Sequence, residues 1–230
     1  MQHRSIAIVA VLALFWGAGC AVTRSIRPVG EGNLAAGVSV GGPIFQNLGA
    51  PIPVPLTSAY ARLGLDPQTD VDVGLHLPVV RAAGIDAGVA RLLWLSEGLW
   101  PAFMLGARIG VFGNVQGLLG RHAPETGSPY GLSPRVFEEI YGTFSWQPNP
   151  ALLTWTGLHL FGQLERARVR PTLLAGAEWR PVDPLGFSLE AKWMTPLSDQ
   201  RNLAIDYRGI AGRGALAVQV GAAYYFGQVL

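Results

Sequence analysis

The sequence predicts an all-β protein: a transmembrane antiparallel up-and-down β-barrel of about ten strands. Three observations lead to this fold class. Apolar residues recur at every second position over ten segments, each about as long as a tilted strand needs to cross a bilayer. The number of segments is even, as is usual for a closed single-chain barrel. The even-numbered connections between the segments are short, the third and seventh are intermediate, and long connections fall only on odd positions, which an outer-membrane barrel also predicts.

Composition agrees with this fold class and excludes several others. Of the 230 residues, 50% are hydrophobic, only 14% are charged and 30 are Gly. A disordered chain would be richer in charge and poorer in apolar residues, and a disulfide scaffold needs more than one Cys. The 17 basic and 15 acidic residues nearly cancel and form no basic run, so we expect no binding to nucleic acid.

The alternation between two faces defines the strands. Val71, Val73 and Leu75, for example, alternate with Asp70 and Asp72, which leaves one face apolar and the other small, polar or charged. The predicted segments are 33–41, 55–65, 70–79, 84–95, 100–113, 135–146, 151–163, 169–180, 186–195 and 214–226.

Two segments do not follow the pattern along their whole length. In 84–95 the alternation slips near Arg91, where a β-bulge would explain it. In 151–163 both faces are mixed, because Leu153, Trp155 and Phe161 compete with an equally apolar set one position away. The register of these two segments stays open.

Loop lengths predict how the barrel is oriented. The second, fourth, sixth and eighth connections are short and carry Pro, Asp, Asn and Gly, which favour turns. The long connections, 42–54, 114–134 and 196–213, fall only on odd positions. Bacterial outer-membrane barrels have short periplasmic turns and long external loops, so we expect a periplasmic N-terminus in the bacterial outer membrane.

The N-terminal residues have the layout of a secretory signal peptide. His3 and Arg4 precede an eleven-residue apolar run, and small residues then lead to Cys20. This segment resembles the lipobox of bacterial lipoproteins, although Gly17 stands where that family prefers Leu. The resemblance implies an acylated Cys20. We therefore expect a signal peptide over 1–19, a periplasmic tether with lipidated Cys20 over 20–32, and the barrel over 33–230.

Aromatic residues cluster near the predicted strand ends. Interfacial girdles of a membrane barrel predict this clustering, and the expected girdle consists of Trp146, Trp155, Trp179, Trp193, Tyr224 and Phe226. The stretch from Val220 to Phe226 resembles the C-terminal strand signal of outer-membrane barrels, with Tyr224 and Phe226 as its aromatic pair.

The small, polar or charged face of the strands predicts a charged lumen. The expected lumen-lining network is Arg62, Asp72, His76, Asp86, Arg108, Glu139, Arg170, Glu178, Glu190 and Lys192. Opposite charges in so narrow a space should pair, since an unpaired buried charge is costly. Two interpretations remain open: a barrel plugged by ion pairs, or a narrow polar pore lined by the same residues.

No motif supports catalysis. His76 and His159 lack a Ser two residues further on, and Glu138 and Glu139 point to opposite faces of one strand. We expect no enzyme activity, no metal and no cofactor. The predicted function is a structural or adaptor component of the cell envelope that contacts outer-membrane lipid and binds other envelope proteins through 42–54, 114–134 and 196–213. The alternatives are a narrow channel for small solutes and, less favoured, a lipid-active or proteolytic barrel enzyme.

Overall fold

The structure is a computed structural model, and it describes residue 24 and residues 26–47, 50–53, 56–78, 82–95, 100–114, 135–163, 166–199 and 208–227. The predicted signal peptide 1–19 and Cys20 lie outside the described residues. The strands are β1 (Leu34–Asn47), β2 (Ala50–Pro53), β3 (Leu56–Gly64), β4 (Thr69–Pro78), β5 (Ala82–Trp94), β6 (Ala102–Asn114), β7 (Arg135–Asn149), β8 (Leu152–Gln163), β9 (Arg166–Val182), β10 (Leu185–Asp199) and β11 (Arg213–Phe226).

The strands form one closed barrel. From β3 to β11 each strand pairs antiparallel with the next, and β1 pairs with both β3 and β11. Leu34 faces Phe226 and Pro43 faces Ala217 across the closing seam. Ten strands therefore make up the wall, because β2 pairs only with the end of β1. The predicted fold class is confirmed, and each of the ten predicted segments overlaps one wall strand.

The first long connection is partly ordered as a β-hairpin. We expected a loop over 42–54, but β1 continues to Asn47 and pairs with β2, with Ile44 opposite Pro53. Apolar residues continue past the wall, and Phe45 packs against the buried cluster of Met194, Ala215 and Ala217. β2 tolerates its two prolines because, as an edge strand, it has no second neighbour that needs their missing N–H groups.

The two ends of the barrel differ in their connections. The four predicted short connections lie together at one end, which we call the short-turn end, and they cover 65–68, 95–101, 150–151 and 183–184. β1 begins and β11 ends at the same end. The opposite end, the long-loop end, carries the hairpin of β1 and β2 and the connections around 115–134 and 200–212. The long connections therefore fall only at this end, as expected, although 79–81 and 164–165 at the same end are short.

The outer face of the wall is apolar over its whole circumference. Val73, Ile85, Ile109 and Leu189 are each more than 50% exposed. A contiguous apolar belt of this size is not stable against water, so this face is in contact with lipid. Within the described residues no helix is long and apolar enough to cross a membrane.

The structure resolves the two segments whose register the sequence left open. The β5–β6 register shifts between Leu92 and Trp94, which confirms the predicted bulge. Leu92 is buried in the lumen, whereas Leu93 and Trp94 both lie on the outside. In β8, Leu153, Trp155 and Phe161 point inward.

Candidate functional site in the lumen

The lumen is filled with buried charged side chains. Nine of the ten residues that we expected there are less than a tenth exposed, and Arg170 is half-buried. They divide between two parts of the wall. The β3–β7 wall carries Arg62, Asp72, His76, Asp86, Arg108 and Glu139, and the β8–β11 wall carries Arg170, Glu178, Glu190 and Lys192.

In the β3–β7 wall the carboxylates outnumber the arginines. The Arg62 guanidinium lies 3.6 Å from both Asp70 and Asp72. Arg108 donates a 2.6 Å hydrogen bond to Glu139 and lies 3.6–3.7 Å from Asp72 and Asp86. Asp70, which we did not predict as a lumen site, is fully buried here. Two arginines of the wall thus face four carboxylates.

A third arginine enters from outside the wall. We expected 20–32 to be a periplasmic tether, but Arg24, Ile26 and residues 28–30 of this stretch are buried inside the barrel. Arg24 is 4% exposed. Its guanidinium contacts Asp72 and donates a 2.5 Å hydrogen bond to Asp86. Arg24 therefore completes the ion-pair network of the β3–β7 wall. The physical reason for the correction is this excess of buried acid, which an arginine on a free tether would leave uncompensated.

Apolar residues and one backbone group hold the rest of this segment. Ile26 packs against Leu153, Trp155 and Leu174 on the opposite side of the lumen. Val29 is fully buried beside Ala35, Ala223 and Tyr225, and its backbone N–H donates to the Asp70 carboxylate at 3.2–3.3 Å. We call residues 24–30 the N-terminal segment.

Two glycines let the chain turn from the N-terminal segment into β1. Gly30 and Gly32 have φ of 85° and 70°, in the left-handed region that side chains disfavour. A third glycine, Gly64, allows the close approach, because a Cβ there would lie 1.9 Å from the Gly30 carbonyl oxygen. The Asn33 side chain also donates to the Val29 carbonyl at 2.9 Å. The turn lies at the short-turn end, so the segment runs from there into the lumen.

Ser58, His76 and Asp86 form a hydrogen-bonded row near the long-loop end. Ser58 Oγ lies 3.2 Å from His76 Nδ1, and His76 Nε2 contacts Asp86. Ser58 and His76 are direct partners across β3 and β4, a neighbourhood that a search for His-x-Ser spacing in one strand does not detect. The row has the order of a hydroxyl, a base and an orienting acid. All three residues are less than a tenth exposed, and Arg24 also occupies Asp86.

The β8–β11 wall neutralises its buried acids within the wall. Arg180 donates to Glu178 at 2.5 Å, and the Tyr225 hydroxyl donates to the same carboxylate at 2.8–2.9 Å. Lys192 lies 3.0 Å from Glu190 and donates a 2.6 Å hydrogen bond to Gln219. Each acid therefore has a cation two residues further along the same strand, on the same face.

Trp155 belongs to this wall and not to the aromatic girdle, so its predicted position is wrong. It is 3% exposed, and its indole N–H donates to Glu190 at 2.8 Å. Gly176, its partner on β9, leaves the room, because a Cβ there would lie 2.4 Å from the indole ring. Thr156 takes the outer position and satisfies its hydroxyl on the Leu174 carbonyl at 2.9 Å. The two faces look mixed in the sequence because Leu153, Trp155 and Phe161 point inward while Leu158 and Leu160 point outward.

His159 is a lumen residue that the sequence analysis missed. Its Nδ1 lies 2.7 Å from Glu139, and its ring stacks on Tyr141 at 5.0 Å between centroids. The open register of 151–163 hid this position. Arg24 was also missed, but a signal existed: the predicted lumen held four cations against five anions, an imbalance that calls for another cation.

The other predicted girdle residues lie on the outer surface. Trp179, Tyr224 and Phe226 are 43–56% exposed at the short-turn end, and Trp146 and Trp193 are half-buried. The bulge also brings Trp94 to this surface, where it stacks on Phe103 at 4.7 Å. Among the residues that the structure describes, no group of three or more His, Cys, Asp or Glu is placed to hold a metal ion.

Comparisons with known proteins reach only solved structures. No family model matches the chain, and no curated protein matches it. The chain is similar to the KdgM porin (6% identity, TM-score 0.47, covering 84% of this chain and 99% of that chain). It is also similar to the translocator domain of autotransporter NalP from Neisseria meningitidis (10% identity, TM-score 0.44, covering 97% of this chain and 96% of that chain). A third similar structure is the outer membrane protease OmpT from Escherichia coli (12% identity, TM-score 0.42, covering 89% of this chain and 99% of that chain).

Proposed function

We propose that this protein is a non-enzymatic barrel of the bacterial outer membrane whose lumen is closed, and that it serves as a structural or adaptor component of the cell envelope. One observation carries the proposal: the lumen is occupied at mid-height by buried ion pairs and by the N-terminal segment. Arg24, Asp72 and Asp86 are all less than a tenth exposed. Side chains packed in this way support a lumen without a continuous column of water.

The bilayer test of a closed lumen is direct. Purified full-length protein is reconstituted in a planar lipid bilayer, and its insertion is confirmed separately by protease protection in vesicles of the same lipids. We expect no reproducible conductance steps. Stable steps from the unmodified protein would contradict the closed lumen and favour the narrow channel instead.

We place the short-turn end in the periplasm and the long loops outside the cell. Deletion of 115–130 in the longest connection removes a candidate docking surface and leaves β6 and β7 intact. We expect the barrel still to insert while a crosslinked envelope partner is lost. An equally sized deletion within 200–207 is not possible, so the control replaces 115–130 by a Gly/Ser linker of equal length. Unchanged crosslinking in both variants would rule out this loop as the docking surface.

We also propose that Cys20 is acylated. Arg24 lies four positions further along the chain, so the stretch between them spans at most about 14 Å. An acyl chain on Cys20 would then lie close to a mouth of the barrel and contribute anchoring independently of the wall. Labelling of growing cells with a palmitate analogue tests this. We expect label on the wild type and none on Cys20→Ala, and an unlabelled wild type would contradict it.

The proposal that the protein is not an enzyme has its own test, because Ser58, His76 and Asp86 have the order of a hydrolase row. Asp86 is already paired with Arg24, and Ser58 is buried, and both observations argue against catalytic turnover. We expect no labelling by a fluorophosphonate probe in detergent micelles or in membranes. Labelling that disappears in Ser58→Ala but persists in Ser188→Ala would identify a reactive serine and overturn the proposal.

A second candidate, a narrow channel, is favoured by one observation. The N-terminal segment is held in the lumen by noncovalent contacts and is not a strand of the wall. A barrel that lost this segment would be less filled.

A further inference from the structure

We infer that Asp72 and Asp86 form a cation-binding site in the lumen, that Arg24 occupies this site in cis, and that the barrel becomes a cation-selective pore when the N-terminal segment leaves. The inference goes beyond the proposed function, because it gives the closed barrel a second, open state. The ligand class that the site takes is a guanidinium or a primary ammonium ion.

The N-terminal segment is not needed to close the wall. Ladder pairing between β1 and β11 closes the barrel over ten consecutive residue pairs. The segment contributes no strand to the sheet. Its polar contacts to the wall include those of Arg24 with Asp72 and Asp86, of Arg27 with Ser145 and Gln147, and of the Val29 N–H with Asp70. The segment can therefore leave the lumen without breaking a pair of the β-ladder.

The wall around Arg24 is shaped for a guanidinium. Gly74 lies beneath it, and a Cβ at this position would lie 2.2 Å from Arg24 Nη2. Two carboxylates, Asp72 and Asp86, receive the two ends of the group. The Tyr60 ring lies 5.9 Å from the guanidinium carbon, within the range of a cation–π contact. A planar cation is thus bound by charge from two sides and by an aromatic face.

The charge of the site determines which ions would enter an open lumen. Around Arg24 the β3–β7 wall holds four carboxylates, Asp70, Asp72, Asp86 and Glu139, against Arg62 and Arg108. With Arg24 in place the count is three cations to four anions. Without it two arginines face four carboxylates, so the carboxylates outnumber the arginines by two. A narrow passage with this excess concentrates cations and excludes anions.

The small residues next to the site would leave space once Arg24 is gone. Gly74 has no side chain, and a Cβ at Gly88 would lie 3.3 Å from both Asp72 carboxylate oxygens. Water and small cations have room there only in the absence of the arginine side chain. The aromatic row of Phe112, Phe137 and Phe161, with centroids 5.1–5.4 Å apart, lies closer to the long-loop end and narrows the exit. We therefore expect a small conductance.

The experiment compares full-length wild type, Arg24→Ala and Arg27→Ala in planar bilayers. Arg27→Ala is the matched control, because Arg27 lies in the same segment and donates to the exposed Gln147 at 2.7 Å. Losing a buried ion pair shifts such an equilibrium strongly, so we expect the open fraction of Arg24→Ala to exceed that of Arg27→Ala by about a hundredfold. The reversal potential in a KCl gradient should show selectivity for cations.

Guanidinium chloride supplies the second readout. At millimolar concentration, guanidinium should refill the vacated site of Arg24→Ala and reduce its conductance, whereas equal concentrations of sodium chloride should not. This block also distinguishes a specific site from a wall that has merely loosened. Conductance that is anion-selective, or that guanidinium does not block, would overturn the cation site.

Failure of this inference can be separated from failure of the proposed function. Conductance of the wild type would contradict the closed lumen, whatever the variants do. If the Arg24→Ala variant inserts but does not conduct, the inference that Arg24 holds the lumen closed is overturned. If Arg24→Ala does not insert, the double variant Arg24→Gln with Asp86→Asn removes one cation and one anion together. A silent double variant would then overturn the inference, and an open one with weaker cation selectivity would support it.

Discussion

The β3–β7 wall and the β8–β11 wall solve the same problem of buried charge in different ways. On the β8–β11 wall, Glu178 and Glu190 each have a cation two residues further on in their own strand, Arg180 and Lys192. On the β3–β7 wall, Asp72 and Asp86 depend on Arg24, which comes from a segment outside the wall. One wall is neutralised by local sequence, and the other by a long-range contact.

The difference teaches where conformational change can start. Residues two apart in a strand share a face whatever the rest of the chain does, so the β8–β11 pairs persist as long as their strands do. The contacts of Arg24 exist only while the N-terminal segment stays in the lumen. A closed state that depends on the contacts of Arg24 can open when the N-terminal segment leaves. The in-strand pairs of the β8–β11 wall offer no such change.

The largest effect should follow removal of the arginine that links the carboxylates of the β3–β7 wall. Arg108→Ala leaves Glu139 with His159 alone, and we expect a loss of about 3–5 kcal/mol in unfolding free energy. Lys192→Ala should cost less, about 1.5–3 kcal/mol, because Glu190 keeps the Trp155 indole. Urea unfolding in lipid vesicles, followed by heat-modifiable gel mobility, measures both. Equal losses would break the comparison of the walls.

A smaller effect separates an inward from an outward tryptophan. Trp155→Phe keeps the ring but removes the donor to buried Glu190, which should cost about 1.5–3 kcal/mol. Trp179→Phe is the matched control on the outer surface, and it should change stability by less than about 0.5 kcal/mol. The same unfolding assay applies. If the control costs more, Trp155 does not have the role assigned to it in the β8–β11 wall.

A still smaller effect is expected where the β8–β11 wall has redundant partners. Tyr225→Phe removes the hydroxyl that donates to Glu178, but Arg180 still holds that carboxylate at 2.5 Å. We expect a loss of about 1 kcal/mol. The double variant Tyr225→Phe with Arg180→Ala should lose more than the sum of the two single variants, since Glu178 is then buried without either partner. Strict additivity would show that the two partners do not share the acid.

The smallest effect lies outside both walls, in the turn of 65–68. The Gln68 backbone N–H donates to the Asp66 carboxylate at 2.7 Å and holds the pKa of Asp66 below its usual range. A lowered folded-state pKa stabilises the protein above the unfolded pKa of about 4, and this stabilisation is lost as pH falls through the folded pKa. Asp66→Ala should therefore be slightly less stable than wild type at pH 7 and equal to it at low pH. A difference that grows on acidification would contradict this assignment.

The sequence by itself determined the elements of the barrel. The number of wall strands, the lipid-facing parity of five of them, the bulge near Arg91 and the end at which the short turns gather all follow from patterns within a few residues. These patterns are local because successive side chains of a strand alternate between two faces and because turn residues act on their own backbone. The β8–β11 acid–cation pairs belong to the same class, since both partners lie in one strand.

Only the tertiary structure decided how the lumen is filled. It brought Arg24 to Asp72 and Asp86, set Trp155 against Gly176, and joined Ser58 to His76 and Asp86. Each of these contacts joins residues on different strands or segments, and so each depends on closure of the wall and on register. The two alternating sets of side chains in 151–163 are almost equally apolar. Which set points into the lumen therefore depends on partners elsewhere in the lumen and not on the segment itself.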